Sequence, residues 1–315
     1  MPVNPTTFTP PNPLNTAVLF LVFNRLDTTK QVFEAIRLAK PPRLYIACDG
    51  ARATRVGEEA TVQTVRDYVK SHIDWECEVQ TLFREQNLGC KYAVSSAISW
   101  FFENEEMGII LEDDCLPDPS FFYFCQELLE RYFHDQRIGM ISGDNFQFGH
   151  KINNDSYYFS NNNHIWGWAT WRDRWQNDYD VALKHWPQIR DEGRMADWFG
   201  SKAEQDSFAD TLEKVYQGKI DTWDFQWHFG SRLNGRIAAM PNINLISNIG
   251  FGEEATHTTG GSVLADMEVG EIRFPLQHPV AMFASIKLDS TFNNRISQPT
   301  LIHRIKNKFN KIFST

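Results

Sequence analysis

The sequence lacks the glycine-rich loops with which many α/β proteins bind phosphate groups. Its first apolar run, residues 17–23, continues as NRLDTTKQ, which contains no glycine and fits neither GxGxxG nor GxxxxGK[ST]. This absence argues against dinucleotide-dependent oxidoreductases, P-loop enzymes and nucleotidyltransferases. A diphosphate bound beyond this run would have to be held by other means, such as a metal ion bridging it to acidic side chains.

Long hydrophobic runs, paired cysteines and excess positive charge are missing as well. The longest early apolar run has seven residues, too few to span a bilayer. The formal net charge is −9, which disfavours a nucleic-acid partner. The five cysteines include no CxxC pair, which is typical of reduced thiols in the cytoplasm; they are Cys48, Cys77, Cys90, Cys115 and Cys125.

The two ends of the chain differ in composition from the rest. Residues 1–13 contain five prolines and no basic segment, which predicts a disordered lead-in and no signal peptide. Residues 301–315 contain four Lys or Arg and no acid. Their apolar residues recur at helical spacing, so we expect a basic amphipathic helix. This helix would contact the inner face of an anionic membrane or, alternatively, pack on the protein's own acidic surface.

The first half of the sequence alternates between strand and helix patterns. Strands are predicted at 17–23, 43–48, 77–83, 108–112 and 138–143, and helices at 27–39, 58–71, 88–104 and from Pro119 onward. Alternation with short connections predicts an α/β fold whose central sheet is mostly parallel and covered by helices on both faces.

The second half is rich in tryptophan, asparagine and glycine. Eight of the ten tryptophans fall between residues 166 and 227, with a helix predicted at 204–217 and strands at 236–240 and 244–248. Indole rings provide flat apolar faces with one N–H donor, which suits the C–H faces of sugars. We expect this half to extend the same domain and complete its binding site.

Polar residues follow four of the predicted strands, and the carboxyl ends of parallel strands meet at one edge of a sheet. The first strand leads into Phe23, Asn24 and Arg25. The later strands lead into Asp49, then Arg84 and Asn87, and then Glu112, Asp113 and Asp114. We therefore expect a ligand site at this edge, called the rim below.

The triplet Glu112, Asp113 and Asp114 directly follows the apolar run GIIL. If the chain stays extended there, Glu112 and Asp114 share a face and Asp113 points away. Carboxylate oxygens are preferred ligands of Mg²⁺ and Mn²⁺, so the triplet predicts a metal site. The alternative is a solvated loop that caps the next helix, but Asp118 already serves as that cap.

The order of four motifs resembles that of a known family. EDD (112–114) is followed by IWGWATW (165–171), DTWDFQW (221–227) and ISNIGFGEEATHT (246–258). The chain resembles GT-A-fold glycosyltransferases, especially the N-acetylglucosaminyltransferase I type, and bacterial hemolysin-like sugar-transferase proteins. The resemblance implies one GT-A domain over 14–275, with a nucleotide-binding half (14–145), an acceptor half (146–275) and a C-terminal extension (276–315).

The same resemblance implies a metal-dependent, inverting transfer from a UDP- or GDP-linked sugar to a glycan or glycolipid. Mn²⁺ or Mg²⁺ would bind Asp114, with His257 as a further metal or phosphate contact. Asp113 would approach the ribose, Glu112 the donor sugar and Asp49 the base, while Arg25 would lie over the nucleotide. Asp224 would be the catalytic base, with Asp221 as its rival. The remaining candidates for donor binding are Phe23, Asn24, Arg84, Asn87, Trp166 and Trp168.

A protein of another class would share part of this pattern. A divalent-ion-dependent carbohydrate-binding protein without turnover would also use acids and tryptophans. The α/β half and the rim residues Arg25 and Asp49 favour the enzyme, because lectin-like modules are usually all-β and would have no use for either residue. Metal-dependent binding of a nucleoside diphosphate separates the two hypotheses.

Overall fold

A computed structural model describes residues 8–150, 154–251, 264 and 267–296. Over these ranges the strands are β1 (Ala17–Val22), β2 (Arg43–Cys48), β3 (Glu78–Phe83), β4 (Met107–Glu112), β5 (Cys115–Pro117), β6 (Ile138–Ser142), β7 (Tyr157–Ser160), β8 (Trp168–Trp171), β9 (Ile237–Pro241) and β10 (Ile246–Asn248). The α-helices are α1 (Leu26–Ala39), α2 (Glu58–Ser71), α3 (Gly89–Asn104), α4 (Ser120–Arg131), α5 (Arg172–Asp178), α6 (Trp186–Asp191), α7 (Lys202–Tyr216), α8 (Asp224–Leu233) and α9 (Ile286–Ile296).

Eight strands form one central sheet in the order β3-β2-β1-β4-β8-β6-β9-β7. The pairings of β1 with β2 and β4, of β2 with β3, and of β6 with β9 are parallel. β8 and β7 run in the opposite direction to the other six strands. The predicted mixed, mostly parallel sheet is therefore confirmed.

Both faces of the sheet are buried, as β1 shows. Its sequence AVLFLV is buried at all six positions, so it carries no solvent-facing side chain. Phe20 packs on the side of α1, α2 and α4, whereas Leu19 packs on the side of α3 and α8. Since successive side chains of a strand face opposite ways, an unbroken apolar run requires helices on both faces, as predicted.

The central position of β8 ties the two predicted halves together. This strand, WATW, pairs with β4 on one side and β6 on the other. It belongs to the predicted acceptor half, while its neighbours belong to the predicted nucleotide-binding half. The two halves thus share one sheet. A separate apolar cluster, which includes Trp186, Leu212 and Phe229, joins α6, α7 and α8.

A small two-stranded sheet returns the chain to the end of β4. β10 pairs antiparallel with β5, with Asn248 opposite Cys115. The backbone N–H of Ile249 then donates to the carbonyl of Asp114 at 2.8 Å. This hydrogen bond brings the segment 246–251 directly against the acidic triplet.

The prediction of disorder for the N-terminal residues is wrong for residues 8–13, and the predicted C-terminal helix falls outside the described residues. Residues 8–13, predicted to be disordered, are packed: the Phe8 ring lies 5.4 Å from that of Tyr123, and Pro13 accepts a hydrogen bond from Gln126. In the C-terminal extension, α9 docks beside β7 through Asp289, which accepts from Ser160 and Asn161. The predicted basic helix at 301–315 lies outside the described residues.

The structure shows the state of the cysteines and the lengths of the helices. All five cysteines are unpaired thiols, and Cys48, Cys115 and Cys125 are buried. No helix in the described part of the chain combines the length and apolarity needed to cross a membrane.

Candidate active site

Arg25 joins the ends of β1 and β4 at the rim. Its guanidinium contacts the carboxylate of Asp113 through Nη2 and that of Asp114 through Nη1, the latter at 2.9 Å. The chain turns at Asp113 and Asp114, since β4 ends at Glu112. The condition under which Glu112 and Asp114 would share a strand face, an extended chain through the triplet, is therefore not met, and one arginine contacts the two neighbouring aspartates.

The triplet holds more negative charge than its surroundings neutralise. Burial, together with the nearby carboxylates of Asp114 and Asp113, raises the pKa of Glu112 to about 8. Burial also raises the pKa of Asp113 to about 6, although Arg25 opposes this shift. Oδ2 of Asp113 is buried without a hydrogen-bond partner. Such a cluster favours the approach of a cation.

Gly250 lies against the pair formed by Arg25 and Asp114. A Cβ atom at this position would collide with Oδ2 of Asp114 and would lie 2.7 Å from Nη1 of Arg25. The Phe-Gly segment singled out in the sequence thus forms one wall of the site. Its close approach requires a residue without a side chain.

Asp49 and Asp221 hold the N-terminus of α3 from two sides. Asp49 accepts from the backbone N–H groups of Leu88 at 3.0 Å and Gly89 at 3.1 Å. Asp221 accepts from those of Cys90 and Lys91, both at 2.9 Å. Four N–H groups that a helix leaves free at its start are thereby satisfied. Gly89 has φ +78°, and a Cβ there would lie 2.6 Å from Asp221.

Asp224 is the first residue of α8, half-buried, and accepts a hydrogen bond from the hydroxyl of Thr222. Asp221 precedes the helix, so these two acids do not lie on one helical face. Asp224 also lies close enough to Glu112 for its carboxylate to raise the pKa of that residue. The predicted catalytic acid and the predicted donor-binding acid therefore face the same space.

Cys90, the second residue of α3, also lies near these acids. Burial raises the pKa of its thiol, and the carboxylates of Glu112, Asp221, Asp224 and Asp49 raise it further. These four acids come from three separate segments, the ends of β2 and β4 and the start of α8, so these segments converge near Cys90. Nothing in the local sequence distinguishes Cys90 from an ordinary core cysteine, so sequence reasoning missed it.

The outer side of the rim carries an aromatic ring with a guanidinium beside it. The Arg52 guanidinium lies 5.4 Å from the centre of the Phe23 ring, and Glu58 fixes it through several hydrogen bonds. Asn24 donates to the same Glu58 carboxylate at 3.0 Å. Arg52 and Glu58 were not predicted, although RATRVGEE after β2 places basic and acidic residues at the rim.

Two further rim candidates bond to neighbouring elements. Arg84 donates to the Ser96 hydroxyl of α3 at 2.8 Å. Asn87 donates to Asp49 at 2.9 Å and to the carbonyl of Gly50 at 2.8 Å. Arg84 thus connects the end of β3 to the middle of α3, and Asn87 connects the loop before α3 to the loop after β2.

The tryptophans separate into core and site residues. Trp168 is fully buried; its ring is stacked on Trp223 at 5.7 Å and lies 5.6 Å from Trp227. It leaves no face open to a sugar. Trp166 is only partly buried, and its ring lies 5.5 Å from that of Phe251, next to Gly250. Of the two tryptophans predicted to contact the donor, Trp166 alone lies beside the site.

Asp144 is a buried carboxyl that sequence reasoning missed. It follows β6, accepts from the backbone N–H of Trp166 at 3.0 Å, and leaves Oδ1 without a partner. Burial raises its pKa well above the ordinary value. The rule that pointed to the acidic triplet, an acid directly after a buried strand, applies equally to SGDN at 142–145.

The residues present fit a hard divalent cation only in part. Within the described ranges, no three His, Cys, Asp or Glu side chains form a ready-made metal site. The free oxygen of Asp113 and the oxygens of Asp114 and Glu112 match the ligands that Mg²⁺ and Mn²⁺ prefer. His257, the other predicted ligand, lies outside the described residues.

Comparisons with known proteins show faint structural likenesses. No protein family and no curated protein matches the chain. It is similar to a mannosyltransferase from Pyrobaculum calidifontis in complex with GDP-Man and Mn²⁺, with 15% identity, TM-score 0.36, and coverage of 54% of this chain and 49% of that one. It is also similar to S. aureus TarS, with 9% identity, TM-score 0.33, and coverage of 50% of this chain and 47% of that one. Its likeness to the inositol-1-phosphate CTP transferase from T. maritima has 10% identity, TM-score 0.36, and coverage of 72% of this chain and 85% of that one.

The chain spans about half the length of the mannosyltransferase and of TarS. Identities and TM-scores this low do not establish a shared activity. The chemistry of this protein is therefore argued from its own residues.

Proposed function

We propose that the protein is a metal-dependent, inverting glycosyltransferase that uses a UDP- or GDP-linked sugar and a hydroxyl acceptor on a glycan or glycolipid. The observation that carries this proposal is the arrangement of Arg25, Asp113 and Asp114 at the rim, with the half-buried Glu112 beside them. A positive group and several carboxylates at the carboxyl ends of parallel strands suit a diphosphate together with a cation.

Asp114 would hold Mn²⁺ or Mg²⁺, with Asp113 or Glu112 and the predicted His257 as further candidates. When bound, the cation would neutralise the diphosphate and make it a better leaving group. The chain's own part is to present carboxylate oxygens at a position where one guanidinium already balances some of their charge. That balance limits the repulsion between acids and donor phosphates.

The nucleotide would lie along the ends of β1 and β2. Arg25 would contact the phosphates, and the base would stack near Phe23 and Arg52. Asp49 was predicted to read the base. Since its carboxylate already accepts hydrogen bonds from Gly50, Leu88 and other groups, we propose that it shapes the base pocket by fixing the loop before α3.

Asp224 is the proposed catalytic base. The acceptor oxygen attacks the anomeric carbon from the side opposite to the nucleoside diphosphate, while Asp224 takes the hydroxyl proton. A carbon–oxygen bond to the acceptor forms as the bond to the diphosphate breaks, and the anomeric configuration inverts. Asp221, its rival, is committed to the Cys90 and Lys91 N–H groups. We therefore assign Asp221 a structural role.

The direct test is release of nucleoside diphosphate from a panel of nucleotide sugars with Mn²⁺, first with water and then with candidate acceptors. Asp224→Asn should lower turnover by about 10²-fold or more and leave donor binding unchanged. Asp210→Asn, an exposed acid on α7, is the matched control. Wild-type turnover by Asp224→Asn would remove this residue from the mechanism.

Calorimetric titration with UDP and GDP tests the metal site and also the alternative of carbohydrate binding without turnover. Asp114→Asn should abolish the Mn²⁺-dependent part of nucleotide binding while the fold persists. Mn²⁺-dependent sugar binding without any nucleotide binding would favour the non-catalytic carbohydrate-binding protein.

A further inference from the structure

Helix α8 exposes one line of side chains, and that line begins at the proposed base. Asp224, Phe225, His228 and Arg232 are partly exposed, whereas the other residues within 226–231 are buried. Residues four positions apart on a helix lie one turn apart on the same face. Asp224, His228 and Arg232 therefore form a continuous line that leads from the site along α8, and we call these three residues the α8 stripe.

The positive charge of Arg232, at the far end of the stripe, is bonded to uncharged groups. Its Nε–H donates to Nε2 of His228 at 3.1 Å, Nη1 donates to the Trp198 carbonyl at 3.1 Å, and Nη2 donates to the Asn162 side chain at 3.2 Å. Burial lowers the pKa of His228 well below its ordinary value, so this imidazole is neutral. Burial also lowers the pKa of Arg232 to about 10, as expected for a cation whose charge is incompletely balanced.

Two carboxylates lie near Arg232 but are bonded to other groups. Those of Asp289 and Glu204 oppose the lowering of its pKa. Asp289 accepts a hydrogen bond from Ser160 at the end of β7, and Glu204 closes the N-terminal cap of α7 with Ser201. Three of the five N–H donors of a guanidinium are thus used within the described part of the chain, which leaves two for a ligand.

Aromatic and amide side chains lie beside the stripe. The Phe208 ring of α7 lies 4.9 Å from the His228 ring, and the Arg232 guanidinium lies 4.5 Å from the centre of the Phe199 ring. The asparagine loop 161–163, which follows β7, is bonded to the same helix. Flat apolar rings together with amides suit a saccharide, because it presents C–H faces as well as hydroxyls.

We propose that the α8 stripe binds an acidic saccharide as the acceptor and that Arg232 pairs with its carboxylate or phosphate group. A guanidinium presents N–H donors in a planar fork that matches either anion, and Arg232 is already held by its neighbours. Two helical turns separate Arg232 from Asp224, so the acidic group would lie away from the hydroxyl that Asp224 deprotonates. This inference rests on the proposed transferase function and specifies its acceptor.

The test is calorimetric titration of the full chain, without donor, with two matched pairs of saccharides. Tetragalacturonate is compared with its methyl ester, and pentamannose phosphate with pentamannose. We expect the protein to bind an acidic saccharide about tenfold or more tightly than its neutral partner, the usual scale for a hydrogen bond to a charged group. A preference within the first pair identifies a carboxylate as the ligand, and one within the second pair identifies a phosphate.

Arg232→Gln should abolish this preference and leave the affinity for the neutral saccharide unchanged, whereas a purely structural role would weaken both members of a pair alike. Arg232→Lys keeps the charge and should retain part of the preference, and thermal unfolding checks that both variants fold. Arg172→Gln is the matched control, since Arg172 is also partly exposed and donates to a carbonyl, that of Glu105. It should keep the full preference.

Equal affinity of the wild type for the acidic and neutral members of both pairs, or no measurable binding of either acid, would overturn the inference. So would an undiminished preference in Arg232→Gln. Release of nucleoside diphosphate is measured separately. A protein that prefers the acidic saccharide but releases no nucleoside diphosphate would retain the anion site and lose the proposed transferase function.

Discussion

At the scale of single residues, the start of α3 depends on carboxylates from two distant loops. Asp49 comes from the end of β2 and Asp221 from the approach to α8, and each accepts from two N–H groups of the first turn. The positive end of the helix dipole adds to the attraction. Asp221 therefore fixes the position of α8 relative to the rim.

Replacing Asp221 with alanine should lower the free energy of unfolding by about 0.5 to 2 kcal/mol, the usual range for the loss of an N-terminal cap. Urea denaturation measures the change. Asp206→Ala, which removes only an exposed ion pair with Lys202 on α7, should change stability by less than about 0.5 kcal/mol. If Asp221→Ala is as stable as wild type but lacks turnover, Asp221 belongs to the chemistry.

His164 should make stability depend on pH. It is buried between the rings of Phe146 and Phe292, and burial lowers its pKa from 6.5 to about 3. The unfolded chain takes up a proton below pH 6.5 while the folded protein does not. The stabilisation due to neutral His164 is therefore fully present above pH 6.5 and decreases as the pH falls toward 3.

Removing this imidazole should flatten the acid side of the stability profile. In His164→Gln, the slope between pH 6 and pH 4 should fall by up to about 1.4 kcal/mol per pH unit relative to wild type. Urea denaturation at several pH values measures it, and His185→Gln, which removes an exposed imidazole, should leave the slope unchanged. Parallel profiles for His164→Gln and wild type would contradict the prediction.

At the scale of secondary structure elements, the strand β10 places Gly250 against the acidic triplet. Gly250→Ala should displace Arg25 or Asp114, because its Cβ has no space beside them. We expect Mn²⁺-dependent nucleotide binding to weaken at least tenfold in calorimetry. The unfolding free energy should change little, because the affected atoms lie at the rim and not in the core.

Gly200→Ala is the matched control for this substitution, since a Cβ at Gly200 meets nothing within 4 Å. It should bind nucleotide as wild type does. Unchanged nucleotide binding by Gly250→Ala would show that the β10 segment does not border the site.

The two tryptophans at the start of β8 should respond in opposite ways. Trp168→Ala removes a fully buried ring from a cluster of four tryptophans and should cost about 3 to 5 kcal/mol of unfolding free energy. Trp166→Ala removes a partly exposed ring and should reduce donor binding more than stability. Chemical denaturation and calorimetry on the same two variants test this. A larger loss of stability in Trp166→Ala would reverse the assignment.

The same elements show how far the sequence predicts the fold. The predicted strands and helices of the first half lie within two residues of their observed positions, because each is a continuous apolar run or a helical repeat with its own end signals; the three-residue strand β5 was not predicted. β8 was recognised only as a motif, since WATW is four residues long and its position between β4 and β6 depends on long-range pairing. The capping roles of Asp49 and Asp221 are equally nonlocal, as both acids bind N–H groups at least 39 residues away along the chain.

At the scale of the whole molecule, the interleaved sheet should make the two predicted halves unfold together. A fragment ending at residue 145 would expose the edges of β4 and β6 that β8 covers, together with the apolar faces that the second half buries. Unpaired strand edges favour aggregation. We therefore expect residues 8–145 alone to show no cooperative thermal transition.

In the intact chain, tryptophan fluorescence reports mainly on residues 166–227, which contain eight of the ten tryptophans, whereas far-ultraviolet circular dichroism reports on all helices and strands. A shared sheet requires the two signals to change at the same urea concentration, because β8 cannot leave without breaking the pairings of β4 and β6. Trp186→Phe, which alters the separate cluster of α6, α7 and α8, should shift both transitions together. Two transitions with different midpoints, or a cooperatively folded 8–145 fragment, would mean that the halves are independent domains.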